Sequence, residues 1–360
     1  MIPQMIPYFD ETETKEIQNY MASGGFLTEY KKTAELESLI ADFTGSTNAI
    51  MVSNGTVSLI MMLLALEIGP GDEVIVPNYT MIATPNAVVA VGAKPVFIDV
   101  ERSTLCLDID RVSKAINNST KAIFFVAANG RHPTYEIEEL SDLCTSKGIY
   151  LLEDAAQGLG STYTSGDHVG TVGLLGSLSF SVPKIITTGQ GGCILTHDDS
   201  MAAKLRKIKD FGRSRGGIDV HDTIGFNYKY TDLQACVGIA QMRKLKERVE
   251  RKKQILKTYE ERLSPIEGIQ IFENDMNHTS PWFIDALVER RDDLISHLND
   301  SGIGSRPMYP PINSQRAYGI PGDFPVSEMV GRTGLWLPSF VQITDDEIDQ
   351  VCKSITKFYL

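Results

Sequence analysis

Two residues lying thirty positions apart, Asp154 and Lys184, have side chains that could share one chemical task. Lys184 lies between a serine-rich segment and a glycine-rich segment, and a lysine in a sheltered setting has a lowered pKa and can form a Schiff base. Asp154 follows the apolar run at 150–152, and a buried carboxylate can keep a pyridine nitrogen protonated so that the ring withdraws electrons. Two such residues, if they lie close together, could serve chemistry on pyridoxal phosphate.

Each of these residues also has a simpler interpretation. Asp154 could cap a helix, because aspartate is common at that position. Most lysines are solvated surface charges, and Lys184 could be one of them. The glycines at 189–192 could form only a hairpin turn, or their N–H groups could help to bind a phosphate. Taken one at a time, the residues leave these alternatives open.

Two further polar segments follow predicted strands. Residues 53–56 read Ser-Asn-Gly-Thr and lie between a strand and a helix, where backbone amides at the helix start can bind an anion. The same residue types also cap many helices without binding anything. Tyr79 follows another strand, and its ring could stack on a planar cofactor or simply fill the core.

These residues need a scaffold that brings strand ends together. Apolar runs predict strands at 48–52, 73–77, 95–99, 121–127 and 150–152, and helical patterns at 56–67 and 136–146 separate some of them. Strands that alternate with helices are typical of an α/β fold with a mostly parallel sheet. In such a sheet, ligands bind at the carboxyl ends of the strands.

The second half of the chain has a different pattern. Apolar residues recur at helix spacing from Leu233, and a dense run of charges continues to Arg262. This pattern predicts one long helix that connects two domains. We expect a large cofactor-binding domain with an N-terminal arm at residues 1–245, and a small C-terminal α+β domain at residues 246–360.

Composition excludes several classes of protein. The 360 residues carry a net charge of −12, which disfavours general binding to nucleic acid. No apolar run approaches the length of a membrane span, and the first ten residues do not resemble a signal peptide. The five cysteines are scattered and never form a CxxC pair, which argues against a disulfide framework or a metal site and fits the cytoplasm.

The motifs occur together in an order that resembles the DegT/StrS-type sugar-nucleotide aminotransferases, within fold-type I of the pyridoxal-phosphate enzymes. The resemblance extends over almost the whole chain. The matching segments are Ser53–Thr56, Gly69–Pro77, Glu153–Gln157, Ser179–Lys184 with the glycines that follow, Gly225–Lys229 and Asp232–Ala235.

The resemblance implies roles for four residues around the cofactor ring. Lys184 is expected to carry pyridoxal phosphate as a Schiff base and then to move a proton between the cofactor and substrate carbons. Asp154 is expected to pair with the pyridine nitrogen. Gln157 is expected to lie near the ring oxygen, and Tyr79 to stack on the ring.

The resemblance also implies a phosphate cup, formed by Gly55, Thr56 and Ser179. Asn227 resembles the residue that completes the phosphate cup from a second subunit. On this basis we expect a homodimer in which the two chains share each active site.

On the substrate side, the segment that contains Arg306 and Tyr309 resembles that of perosamine-synthase-like members, which act on 4-keto-6-deoxyhexoses carried by a nucleoside diphosphate. Arg306 and Lys229 are candidate cations for the diphosphate, although both could be ordinary surface charges. Tyr309 is a further candidate for contact with the substrate. Arg213 and Arg215 are weaker candidates, because they lie in a glycine-rich loop.

Two segments depart from the family pattern. Members often have His and Tyr before the glycine of the segment that here reads Ala127 to Pro133, and a His after the substrate-side Tyr-Pro, where this chain has Pro311 to Ser314. Contacts between these loops and a sugar therefore cannot be copied from relatives.

The resemblance implies a ping-pong transamination. Glutamate would leave the cofactor as pyridoxamine phosphate, which would then aminate the keto sugar, with C4 favoured over C3. A dehydratase of the same fold is an alternative, but relatives that use pyridoxamine phosphate for dehydration have histidine in place of the lysine. A non-catalytic cofactor-binding regulator is a third possibility, although the chain shows no basic stripe for DNA.

Overall fold

A seven-stranded sheet forms the centre of the larger part of the molecule. The computed structural model describes every residue from Met1 to Leu360. The strand order is β1-β7-β6-β5-β4-β2-β3. Only β7 runs antiparallel to its neighbours, so the sheet is mostly parallel, and the predicted α/β fold is confirmed. The strands of this sheet are β1 (Asn48–Val52), β2 (Glu73–Pro77), β3 (Lys94–Ile98), β4 (Thr120–Val126), β5 (Tyr150–Asp154), β6 (Leu175–Ser179) and β7 (Gly192–Thr196).

Twelve helices accompany the strands. Those that flank the large sheet bury an apolar face against it, and one core cluster lies on each side of the sheet. None of the helices is both long enough and apolar enough to span a bilayer. The helices are α1 (Glu11–Ala22), α2 (Lys31–Thr44), α3 (Gly55–Ala65), α4 (Ala83–Ala90), α5 (Ile109–Ala115), α6 (Ile137–Lys147), α7 (Asp199–Lys209), α8 (Asp232–Arg243), α9 (Leu245–Leu263), α10 (Arg291–Asp300), α11 (Pro325–Thr333) and α12 (Asp345–Tyr359).

A second, four-stranded sheet belongs to the C-terminal part of the chain. Its strands are β10 (Ile269–Ile271), β11 (Ile284–Val288), β12 (Arg306–Pro307) and β13 (Gly334–Leu337). They are antiparallel and have the order β10-β11-β13-β12. A separate hairpin in the large part consists of β8 (Arg213–Arg215) and β9 (Ile218–His221).

The long connecting helix differs from the prediction in one respect. The structure has two helices, α8 and α9, which meet at Lys244. The Lys244 amide donates to the carbonyl of Gln241 at 3.1 Å, which tightens the last turn of α8. The Lys244 ammonium is held by Asp10 and Glu13 at 2.7 and 2.8 Å. The junction between α8 and α9 is therefore accompanied by contacts with the N-terminal segment. These contacts cannot be predicted from helical periodicity.

Helix α9 contacts both parts of the molecule. Its first turns place Leu245 and Val249 in the core of the large sheet, whereas Ile255 and Leu256 lie in the core of the small sheet. Ile2 also lies in that small core, so the start of the N-terminal arm packs with the C-terminal part. The domain boundary after residue 245 stays a prediction.

Candidate active site

Asp154 is the last residue of β5 and lies at the carboxyl edge of the large sheet. Its side chain is 4% exposed. One carboxylate oxygen accepts from the Thr84 hydroxyl at 2.7 Å and the other from the Ala156 amide at 3.1 Å. No helix begins here, so the capping interpretation does not apply. Burial raises the pKa of Asp154, while these two donors and the charge of Lys184 act in the opposite direction.

Lys184 lies in the loop between β6 and β7, close enough to Asp154 for their charges to interact. Burial lowers the pKa of Lys184 to about 8, although the Asp154 charge opposes that shift. The ammonium nitrogen lies 4.1 Å from the centre of the Trp282 ring. The Trp282 indole in turn donates to the carbonyl of Pro183 at 2.7 Å. The surface-charge interpretation of Lys184 is therefore excluded by its surroundings.

The predicted phosphate cup is assembled where β1 passes into α3. Asn54 caps α3 by accepting from the Val57 amide. The N–H groups of Gly55 and Thr56, at the start of the helix, have no intrahelical partner and carry the positive end of the helix dipole. A Cβ atom on Gly55 would lie 3.1 Å from the Cβ of Ser179. Glycine at position 55 therefore leaves room beside the Ser179 hydroxyl.

A second glycine permits this arrangement. Gly192 begins β7, and a Cβ atom there would lie 2.5 Å from the Asn54 carbonyl carbon. Any larger residue would push the start of α3 away from the sheet. The glycines after Lys184 therefore do more than form a turn, because one of them allows the helix start to pack closely over a strand.

Gln157 and Tyr79 follow the ends of β5 and β2, at the same edge of the sheet. The side-chain oxygen of Gln157 accepts from the Asn129 amide at 2.7 Å, which leaves its NH₂ group available for another partner. Tyr79 is buried in an aromatic cluster with Trp282 and Trp336. Burial holds the pKa of its phenol well above the usual range.

Asn227 is exposed and forms a single bridge with Asp210. The neighbouring Tyr228 carbonyl accepts from the Ser53 amide at 3.1 Å, so the segment runs beside the phosphate cup. The side chain of Asn227 is accessible from outside the chain. Exposed apolar residues surround it on the same segment, among them Ile224 at 82% exposure and Phe226.

The cations predicted for the substrate side differ in whether a carboxylate already pairs with them. Lys229 is paired with Asp210 at 2.7 Å, and Arg213 contacts the same carboxylate at 3.0 Å. Arg306 is exposed and lies 5.4 Å over the Trp336 ring without an ion-pair partner. Arg215 is also exposed, on the hairpin of β8 and β9. Arg306 is therefore more available for an anionic ligand than Lys229.

Tyr309 lies near both Trp336, which Arg306 contacts, and Tyr79, which is predicted to stack on the cofactor ring. Its ring lies edge-on to Trp336 at 4.8 Å and 6.0 Å from the Tyr79 ring. Burial raises its pKa, and the Asp154 charge acts in the same direction. Tyr309 is therefore close enough to both the exposed Arg306 and the buried Asp154 for their charges to act on it. Its contact with the substrate stays a prediction.

Comparisons with known proteins agree with this geometry. The family model described as the DegT/DnrJ/EryC1/StrS aminotransferase family matches residues 7–356. The chain belongs to this family. It is 32% identical to a GDP-perosamine synthase of Vibrio cholerae over 100% of this chain and 99% of that protein. The aminotransferase TlmJ from Streptoalloteichus hindustanus superposes with a TM-score of 0.93 at 29% identity, over 99% and 98% of the two chains.

A further relative concerns the cofactor. The PLP form of Spr1654 from Streptococcus pneumoniae is 26% identical and has a TM-score of 0.92, with 99% of this chain and 98% of that chain covered. Family membership confirms the predicted aminotransferase class and pyridoxal phosphate as the cofactor. The residues present fit this cofactor, because the Gly55 cradle and the free helix amides suit a phosphate, and the buried Asp154 suits a protonated ring nitrogen.

The first departure from the family pattern has a structural explanation. Asn129 adopts a left-handed conformation with φ of 55°, and its amide group bonds both the N–H and the carbonyl of Phe283 on the small part. Arg131 forms a buried two-point ion pair with Asp285 on β11, at 3.1 and 2.8 Å. In this chain the loop therefore joins the two parts of the molecule.

The loop at 311–314, where the chain departs from the family pattern a second time, is also held by hydrogen bonds within the chain. Asn313 donates its backbone N–H to the side-chain oxygen of Asn78, and the Asn78 amide donates back to Asn313, at 2.8 and 2.9 Å. Asn78 directly precedes Tyr79, so this reciprocal pair fixes the loop at 311–314 beside Tyr79. Trp282, Thr84 and Asp285 were not among the predicted site residues. Only the aromatic character of Trp282 could have drawn attention to it.

Proposed function

We propose that this chain transfers an amino group from glutamate to C4 of a nucleotide-linked 4-keto-6-deoxy sugar. The observation that carries the proposal is the pairing of a buried Asp154 with a Lys184 of lowered pKa beside the phosphate cup. Similarity to a GDP-perosamine synthase along the full length of both chains supports a sugar nucleotide as the acceptor.

The residues around the ring site divide the work between them. When bound, pyridoxal phosphate supplies an electron sink for bonds at the substrate carbon. Lys184 would carry the cofactor covalently, and its neutral amine would then accept and return a proton at the reacting carbon. The buried Asp154 would hold a proton on the ring nitrogen by charge attraction. Gln157 would donate its free NH₂ group to the ring oxygen, and Tyr79 would stack on the ring.

Binding and orientation fall to the phosphate cup and the substrate side. The amides of Gly55 and Thr56 and the hydroxyl of Ser179 hold the cofactor phosphate. Arg306, which has no carboxylate partner, binds the diphosphate of the sugar nucleotide by charge-assisted hydrogen bonds. Tyr309 contacts the sugar between these two groups.

A second copy of the chain completes the site in this proposal. Asn227 is exposed in one chain and would reach the phosphate cup of the other. The large apolar side chains left exposed nearby would be covered in a homodimer. They are Phe26, Leu27, Tyr30, Ile218, Val220, Ile224 and Phe226. We place the enzyme in the cytoplasm, since its five cysteines are free, and its aminated product in polysaccharide biosynthesis.

The test is a product analysis with purified enzyme. A nucleotide-linked 4-keto-6-deoxy sugar and glutamate should yield an amino sugar and 2-oxoglutarate in equal amounts. NMR of the product should show nitrogen at C4, whereas nitrogen at C3 would identify a 3-aminotransferase. A deoxy sugar formed in place of the amino sugar, with the nitrogen of glutamate released as ammonia, would overturn the proposal in favour of a dehydratase.

A further inference from the structure

We propose that Thr84 is a positioning residue that keeps the Asp154 carboxylate ionised and fixes its orientation toward the cofactor ring. The inference rests on the proposed role of Asp154 and adds a residue that the sequence comparison did not single out. Thr84 is the second residue of α4, and it reaches the site from a helix that carries none of the predicted ligands.

The contact is short and fully buried. Thr84 is 0% exposed, and its hydroxyl oxygen lies 2.7 Å from one oxygen of Asp154. The same hydroxyl lies 3.3 Å from the carbonyl of Met81. A hydroxyl has one proton to donate, and the shorter bond to a charged acceptor is the stronger of the two. The Thr84 proton is therefore committed to Asp154.

A neighbouring hydroxyl strengthens this bond. The hydroxyl of Thr80 lies 3.1 Å from that of Thr84 and is also buried. Because Thr84 donates to Asp154, Thr80 must donate to Thr84. Hydrogen bonds in such a chain polarise one another and gain strength. Thr80 directly follows Tyr79, so the chain connects the stacking residue with the partner of the ring nitrogen.

Thr84 is the only side chain that donates to Asp154. The other donor is the Ala156 backbone amide, at 3.1 Å. Burial disfavours the charged carboxylate and raises its pKa, and the Thr84 hydroxyl is the first of the interactions that oppose this rise. Without it, a carboxyl group in this site would keep its proton at a higher pH, and a neutral carboxyl group attracts a protonated ring nitrogen less strongly.

The test compares Thr84→Val with Thr84→Ser and Thr80→Val. Valine keeps the shape of threonine but cannot donate, whereas serine keeps the hydroxyl. The affinity of each cofactor-free enzyme for pyridoxal phosphate is measured by fluorescence titration between pH 6 and pH 9. We expect Thr84→Val to weaken binding roughly ten- to a hundredfold, the effect of losing a hydrogen bond to a charged group. Thr84→Ser should bind like the wild type, and Thr80→Val should lose less than about threefold.

The pH profile separates this role from a structural one. The titratable groups that face Asp154 are Lys184 and Tyr309. A neutral Asp154 would remove the charge that raises the pKa of Lys184, so more of the Lys184 amine would be neutral, and this change would oppose the expected loss of affinity. In Thr84→Val the raised pKa of Asp154 should make the loss of affinity larger as the pH falls, relative to the wild type at each pH. A melting curve of the cofactor-free proteins checks that each variant is folded.

Two outcomes would overturn the inference. Wild-type affinity in a folded Thr84→Val at all pH values would show that the hydroxyl does not support Asp154. An equal loss in Thr84→Ser would show that packing, and not the hydroxyl, matters. A wild-type protein that binds no cofactor would instead contradict the proposed function itself, so the two failures can be told apart.

Discussion

The cofactor side and the substrate side of this site are built in different ways. Asp154 and Ser179 lie at strand ends of the large sheet, and Gly55 lies at the start of α3. The Asp154 carboxylate is held by Thr84 of α4, and Gly55 packs against Ser179. Arg306 and Tyr309 come from the C-terminal part, and Arg306 is exposed without an ion-pair partner. The cofactor side is therefore nearly complete in one chain, whereas the substrate side still needs partners.

This difference between the two sides indicates which residues can alter the substrate specificity of the enzyme. The cofactor residues are fixed by close packing, so substitutions there should affect every reaction of the enzyme. The loops at 127–133 and 311–314 are occupied by bonds between the two parts of the molecule. We therefore expect the sugar to be recognised by residues outside these two loops.

The largest expected effect falls on the cofactor side. Lys184→Ala should lower the rate of amino transfer by about 10³-fold or more, because the amine that accepts and returns the proton is missing. Lys184→Arg is the matched control, since it keeps the positive charge but cannot bind the cofactor covalently, and it should be equally inactive. Treatment with borohydride followed by peptide mass analysis should fix the cofactor to Lys184 in the wild type alone. Normal turnover by Lys184→Ala would refute the assignment.

A smaller loss is expected at the phosphate cup. Gly55→Ala places a methyl group 3.1 Å from the Cβ of Ser179, so the helix start must shift and the space for a phosphate shrinks. The affinity for pyridoxal phosphate should fall about tenfold, as expected for the weakening of one charge-assisted bond. Gly216→Ala is the control, because a Cβ atom there meets nothing within 4 Å. Equal affinities of the two variants would argue against a phosphate at Gly55.

The residues of the cofactor side could be predicted because their positions follow from local pattern. Strand β1 was predicted with the observed bounds, and β5 only had to be extended by two residues to include Asp154. Parallel strands bring their carboxyl ends together, so residues far apart in sequence meet once the strands are known. Lys184 and Ser179 lie in such positions.

The remaining contacts could not be predicted, since they join distant segments through single side chains. Trp282 covers Lys184 from the small part, and Asp285 pairs with Arg131 across 154 positions of the chain. Nothing in the periodicity of either segment identifies its partner. The surroundings of Lys229 were equally hidden, because its pairing with Asp210 depends on how the segment after α7 folds back.

Substitution of the two candidate cations on the substrate side should change KM for the sugar nucleotide by different amounts. Arg306→Gln should raise KM for the sugar nucleotide about tenfold, since a charge-assisted bond to the diphosphate is lost. Lys229→Gln should change KM less than about threefold, because the Lys229 charge is already taken up by Asp210. Cofactor affinity should stay unchanged in both variants. Initial-rate kinetics at saturating glutamate measure the effects. A larger increase in KM for the Lys229 variant would indicate that Lys229, and not Arg306, binds the diphosphate.

The smallest change caused by a substitution should be a shift in the pH dependence with which the cofactor-free enzyme captures pyridoxal phosphate. Only the neutral amine of Lys184 can attack, and burial lowers its pKa to about 8. The capture rate should therefore rise about tenfold per pH unit below pH 8 and level off above it. In Asp154→Asn the negative charge that raises the pKa of Lys184 is gone, so the inflection should move to lower pH. Stopped-flow absorbance measures the rate, and a free lysine derivative corrects for titration of the cofactor. An inflection that moved to higher pH would show that Asp154 does not act on Lys184 in this way.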